Sequence, residues 1–172
     1  MRQIYSRVCA IRFDLRVPEG MPVIQSNILI SKFFAKLKDK FKAKKWDNQP
    51  IKQFVYGWVW EIETAAQAHY HLWIALPGNQ VKNAGHYDYG IFSLIKDIWF
   101  ELTNEDGLAY LPKNPDYMIR RDDDAELREF VYRNSYLAKE KGKYSLGTNT
   151  KCFDGSRLHN AMKKAESLKL AA

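Results

Sequence analysis

The sequence predicts an α+β fold: a ferredoxin-like β-α-β-β-α-β antiparallel sheet with an added C-terminal helical segment. Three observations lead there. Strand-type and helix-type apolar patterns follow one another in that order along the chain. The second and third strand patterns are separated only by the short Thr64–Ala68 link, which marks a hairpin. Three of the strands set polar, ligand-type side chains against an apolar opposite side, as a sheet covered by helices on one face requires.

The first strand, residues 5–16, alternates: Cys9, Ile11, Phe13 and Leu15 on one side, Arg12, Asp14 and Arg16 on the other. Pro18-Glu19-Gly20 ends it. Ser26 is the expected cap of a helix running to about Lys45, with Ile30, Phe33, Phe34, Leu37 and Phe41 as its apolar stripe. Phe54 to Glu63 reads as the second strand, with Trp58, Trp60 and Ile62 facing one way and Glu61 and Glu63 the other. His69 to Leu76 is the third, stopped by Pro77-Gly78-Asn79. Its Tyr70, Leu72, Ile74 and Leu76 suit the helix-covered core, which leaves His69, His71 and Trp73 on the open side. Ile91 to Thr103 forms the second helix, with Leu94, Ile95 and Ile98 inward, and Tyr117 to Arg121 is a weaker fourth strand. A third helix spans Ala125 to Lys141, and Ser156 to Leu170 supplies the final one.

The 172 residues make one domain, with a core over about 5–150 and a C-terminal helix over about 156–170. Five Trp, ten Tyr and nine Phe are enough to fill a sizeable core. The net charge of 27 − 20 = +7 makes a polyanion a sensible partner. Cys9 and Cys152 fit no metal spacing and read as free thiols in a reducing cytoplasm. The polar N-terminus carries no signal peptide, and no apolar run reaches the roughly 20 residues of a membrane span, so a cytoplasmic protein without a membrane partner is expected.

His69-Tyr70-His71 is the most informative tripeptide. Strand residues two apart share a face, so both imidazoles project to one side, as a shared metal ion requires. With a carboxylate from the neighbouring hairpin strand, Glu63 or Glu61, they form a mixed nitrogen and oxygen set suited to Mn²⁺ or Mg²⁺, or to Zn²⁺. Asp14, on the same face, is a candidate to fix an imidazole tautomer. Downstream, Tyr136-Leu137-Ala138-Lys139 places a phenol and an ammonium three residues apart on a helix, where they act at one spot. A phenol with a pKa near ~10 needs help to attack, and a metal with Lys139 offers it. Tyr132, Tyr136 and Lys139 share a side of that helix with Arg128 adjoining, opposite Leu127, Phe130, Val131, Asn134 and Ala138. Tyr132 is a candidate second nucleophile, with ring packing as the alternative. A metal pair followed by Tyr-x-x-Lys suggests DNA-strand cleavage through a tyrosyl-phosphate bond. Lys32, Lys36 and Lys40 of the first helix and Arg128 of the third are candidate DNA contacts, and Trp73 a candidate base-stacking platform.

These stretches resemble the HUH endonuclease superfamily, and most closely the rolling-circle replication initiators of filamentous phages (inoviruses) and related mobile elements. The resemblance rests on Ile11-Arg12-Phe13-Asp14-Leu15-Arg16-Val17-Pro18, Trp60-Glu61-Ile62-Glu63, His69-Tyr70-His71-Leu72 and Tyr136-Leu137-Ala138-Lys139, in that order over roughly residues 5 to 150. It implies a site-specific nick in single-stranded DNA or an origin hairpin, a 5′-phosphotyrosine link, and a free 3′-OH that primes replication. It assigns His69 and His71, with Glu63 as third ligand, to the metal and Tyr136 to the attack. The chain departs from the pattern in the aromatic Tyr70 and in the short Glu63-to-His69 connection. It also has no Gly-x-x-x-x-Gly-Lys-Ser/Thr motif, so unwinding falls to a host helicase ahead of the polymerase.

Two other readings stand beside this one. A single-tyrosine HUH transposase shares the His pair and the helix Tyr; the Lys three residues after Tyr136 favours the initiator. A degenerate, non-catalytic relative would bind DNA as a regulator or replication inhibitor. An RNA-recognition domain has the same element order but needs aromatics where this sheet face carries His, Glu and Asp.

Overall fold

A computed structural model describes residues 1–61, 68–135 and 150–156. Within them the chain is α+β, with an antiparallel sheet and three helices. Strand β1 (Arg7–Arg16) sits inside the sheet and pairs along its whole length with β5 (His69–Pro77). Helix α1 (Val23–Ala43) follows β1 and buries the Ile30, Phe33, Phe34, Leu37 and Phe41 stripe. It starts three residues before the expected cap. Pro22 occupies the cap position, and Ser26 lies inside the first turn with its Oγ donating to the Val23 carbonyl. A small hairpin, β2 (Lys45–Trp46) and β3 (Gln49–Pro50), turns through Asp47 and Asn48, both at positive φ. Asp and Asn tolerate that geometry, but without a glycine it is hard to read from sequence.

Strand β4 (Val55–Glu61) pairs antiparallel with β5 on the side away from β1. The chain then passes through β6 (Gly85–His86), half of a tight turn closed against Tyr89 and Gly90, into α2 (Gly90–Thr103). Two strands follow α2: the second lies where the fourth strand was expected, over Tyr117 to Arg121, and the first was not expected. β7 (Leu108–Tyr110) pairs with the end of β1, Asp14–Arg16, and β8 (Asp116–Arg120) with its beginning, Arg7–Ile11. Between them lie Pro112 and Pro115, which have no N–H to donate to the ladder. Helix α3 (Ala125–Ser135) follows, and β9 (Phe153–Gly155) pairs with β4 at the opposite edge. The order across the sheet is β7 or β8, β1, β5, β4, β9. The expected helix over 156–170 and the end of the third helix lie outside the described residues.

Helices α1 and α2 cover one face. The core there joins Cys9, Ile11, Phe13 and Leu15 of β1, Tyr70, Leu72, Ile74 and Leu76 of β5, and Trp58 and Trp60 of β4 to the helix stripes. Trp99 of α2 packs edge-on against Phe33 and donates its indole N–H to the Arg16 carbonyl. Tyr70 is the unusual aromatic of the His-x-His triplet, and its hydroxyl is satisfied inside this core. It donates to Ser26 Oγ at 3.0 Å and accepts from Asn27 Nδ2 at 3.1 Å. A buried phenol with partners is cheap to keep, whereas an orphaned one is not.

The other face is not fully open, as the sequence had implied. Helix α3 lies over part of it, with Phe130 edge-on to Trp73 at 5.5 Å and to Tyr117 at 5.3 Å. Val8, Ala10, Ala75 and Ile119 complete this second cluster. The first half of β1 is therefore buried on both sides, while from Arg12 onward the non-core side is reachable. Val131, expected on the packed side of α3, is exposed; the described part of the helix docks through Leu127 and Phe130. No helix among the described residues is long and apolar enough to cross a membrane.

Candidate metal centre

The register of the central strands assembles the site. In the β4–β5 ladder Glu61 sits opposite His69 and Val59 opposite His71. In the β1–β5 ladder Asp14 sits opposite His71 and Arg16 opposite His69. Directly opposed residues share a face, so Glu61, His69, His71 and Asp14 crowd together on the side away from α1 and α2. One ligand atom from each of Glu61, His69 and His71 falls within 4.8 Å of the other two. The two imidazole Nε2 atoms are 3.1 Å apart with their rings perpendicular, and Glu61 Oε2 lies 3.1 Å from His71 Nε2.

Asp14 takes the other nitrogen of His71. Its Oδ1 is 2.8 Å from Nδ1, so Nδ1–H donates and the Nε2 lone pair is left facing His69 and Glu61. The side chains are shielded without being sealed: His71 is 14% exposed, Asp14 18% and Glu61 19%. Two imidazole nitrogens and one carboxylate oxygen on one face of the sheet fit a divalent ion with positions left open for oxygen ligands.

His69 and His71 come together as the spacing demanded. The carboxylate beside them is Glu61, one of the two that alternation allows and not the Glu63 that the resemblance implies; Glu63 lies outside the described residues, as do Tyr136 and Lys139. Asp14 holds His71 as anticipated. Tyr132 and Arg128 are exposed on α3, Tyr132 by 75%. Trp73 is half-buried, wedged between Phe130 and Gly57, where a Cβ would lie 2.7 Å from its indole ring. Packing accounts for its position, so it is not an open stacking platform. Lys32, Lys36 and Lys40 project from α1, across the sheet from the His pair, and Lys36 is tied to Glu101 of α2.

The contacts of α3 give its direction. Near its start, Asp124 pairs with Arg2 at 2.7 Å. Near its end, Arg133 donates to the carbonyls of Asn114 and Lys113, in the connection that joins β7 to β8 beside Arg12. The helix thus runs along the His-bearing face toward the row that holds Asp14 and His71, and Ser135 is its last described residue. The sequence reading did not anticipate Tyr110 and Phe153. They end the same row across the sheet, Tyr110 opposite Asp14 and Phe153 opposite Val59, and are 54% and 70% exposed. Their three-residue strands are too brief for alternation to reveal.

No curated protein matches this chain. Residues 2–156 match the YagK/YfjJ C-terminal domain, and the chain belongs to that family.

Proposed function

We propose that the protein is a metal-dependent enzyme that nicks and rejoins single-stranded DNA through a tyrosyl-phosphate link, in the manner of the HUH replication initiators. The convergence of Glu61, His69 and His71, with Asp14 on the far nitrogen of His71, carries this reading. The strand order supports it: β5 lies between β1 and β4, the split arrangement of a ferredoxin-like sheet, and the His pair occupies the side that α1 and α2 leave uncovered. The course of α3 supports it too, since the helix that precedes Tyr136 heads toward the same row.

A divalent ion bound by Glu61, His69 and His71 supplies Lewis-acid polarisation of a scissile phosphate. The chain's own groups do the rest. Asp14 keeps the His71 imidazole in the tautomer and orientation that present Nε2. Tyr136 attacks phosphorus through its phenolic oxygen; the new O–P bond forms as the bond to the 3′-oxygen of the preceding nucleotide breaks. The products are a 5′-phosphotyrosine and a free 3′-OH, the phenolic proton reaching the departing oxygen through solvent. Lys139 offsets the charge that gathers on the phenolate and on the transferring phosphate. Reversal of the step by another 3′-OH rejoins the strand. A rolling-circle initiator in a bacterial or phage-infected cytoplasm, working with a host helicase and polymerase, is the setting this chemistry suits.

The test is an adduct assay with end-labelled single-stranded origin DNA. The expected result is a denaturation-resistant protein–DNA species that needs Mn²⁺, is lost in EDTA and is lost in Tyr136→Phe, while that variant still binds DNA. An adduct undiminished in Tyr136→Phe would remove the nucleophile assignment. DNA binding with no adduct under any metal would leave a regulator on the same scaffold.

A further inference from the structure

Arg12 and Arg16 flank Asp14 on β1, each two residues away and on the same side of the sheet. Arg12 is registered opposite Trp73, and Arg16 opposite His69. By strand rise their Cα atoms stand about 13 Å apart, with the candidate metal centre beside the midpoint. Among the described residues neither forms an ion pair, although Glu61 and Asp14 lie on the same face. Those two carboxylates are turned to His71 instead. Arg16 is exposed. Arg12 is half-buried, and its Nε is fully shielded with no hydrogen-bond partner among the described residues.

A half-buried cation without a counter-ion is costly for a fold to retain. The usual remedy, a neighbouring carboxylate, is present but committed to the imidazole. An external anion is the remaining one. The guanidinium fork matches a phosphate oxygen pair, and burying part of the side chain fixes its direction before the ligand arrives. The row between the two arginines ends in the exposed rings of Tyr110 and Phe153. Such rings suit a ligand with π faces more than a free inorganic anion. The lysines of α1 are on the wrong layer to hold the same strand.

We propose that Arg12 and Arg16 are the phosphate clamps of the site, binding the backbone of single-stranded DNA on either side of the phosphate presented to Glu61, His69 and His71. They are positioning residues: they hold the strand in register with the metal centre. This rests on the nucleic-acid part of the proposed function and adds the track that the strand follows.

The test is binding of a labelled mixed-sequence single-stranded oligonucleotide by fluorescence anisotropy, in EDTA so that nothing is cleaved, across a series of salt concentrations. Each phosphate contact on a single strand contributes a slope of about 0.7 in log K against log salt. Arg12→Ala and Arg16→Ala should each lower the slope by about that amount and weaken binding. Arg12→Lys should keep the slope, and Lys32→Ala and Lys40→Ala should leave it unchanged. Mn²⁺ binding by the arginine variants should match the unaltered protein, which separates a lost clamp from a damaged centre. Arg16 is exposed, so its variant reads the clamp even if Arg12→Ala folds poorly. An unchanged slope in Arg16→Ala and Arg12→Ala, with slope lost in the lysine variants, would overturn the clamp and leave the nicking reading standing. No binding by the unaltered protein would overturn the clamp together with the nucleic-acid reading.

Discussion

At the scale of single residues, the site depends on which carboxylate completes the His pair. Sequence parity placed Glu61 and Glu63 on one face and could go no further, because parity does not set the register across a hairpin. The ladder does: Glu61 pairs with His69, and its carboxylate reaches His71 Nε2. Glu61→Ala should therefore weaken Mn²⁺ binding more than Glu63→Ala does, measured by calorimetry on the two variants side by side. A larger loss from Glu63→Ala would return the third position to that residue. Asp14 illustrates what was readable in advance. It needed only to share the His face, which alternation along β1 gave directly, and its contact with His71 follows from strand pairing. Tyr70 was readable in direction, since the even positions of β5 face the core, but its partners Ser26 and Asn27 were not. Ser26 had the look of a helix cap in sequence. It serves inside the first turn because Pro22, with its fixed φ, already starts the helix.

At the scale of elements, β1, α1, β4, β5 and α2 follow apolar patterns long enough to read, and their observed spans lie close to those expected from sequence. The short pieces were not legible. β2, β3, β6, β7 and β9 are two or three residues each; β2, β3 and β6 belong to tight local turns, and β7 and β9 are held by pairing with strands distant in sequence. Leu127 and Phe130 were legible as the packed side of α3, but the sheet face on which it docks was not, because its buried contact amounts to Phe130 with Leu127 beside it. That docking covers part of the His-bearing face, and Phe130 is its main anchor. Phe130→Ala should cost about 3 kcal/mol of stability by chemical denaturation. It should also speed amide exchange across 125–135 while β1 and β5 stay protected. Unchanged exchange in that segment would show that Arg133 and the Arg2–Asp124 pair, not the aromatic cluster, hold the helix.

At the scale of the whole molecule, the sheet separates two chemistries. One layer is a dry core under α1 and α2 with a lysine-studded outer surface; the other carries the acid, imidazole and arginine groups. The net charge of +7 was legible, but which layer faces a polyanion was not, since α1 advertises its lysines and β1 hides its arginines between apolar residues. Asp116 ties the layers at the sheet edge, accepting from the Ala84 N–H at 2.7 Å. Burial raises its carboxyl pKa above the ordinary value, and the Ala84 hydrogen bond only partly offsets this. The native state then holds that proton more tightly than the unfolded chain, so this group's contribution to stability falls as pH rises from the ordinary carboxylate range through the raised value. Asp116→Asn should have a thermal midpoint at or above that of the unaltered protein at neutral pH, with the advantage closing on acidification through that window. A midpoint that drops at neutral pH would show that the charged hydrogen bond outweighs the burial cost.

The proposed function stands on Glu61, His69 and His71 being able to hold one divalent ion. Isothermal titration of the metal-free protein with Mn²⁺ tests it most directly, alongside His69→Ala and His71→Ala variants whose folding is checked by circular dichroism. One ion per chain is expected for the unaltered protein, with loss of that binding in both variants and the fold retained. Mn²⁺ binding that survives in both His variants, or no binding by the unaltered protein, would contradict it.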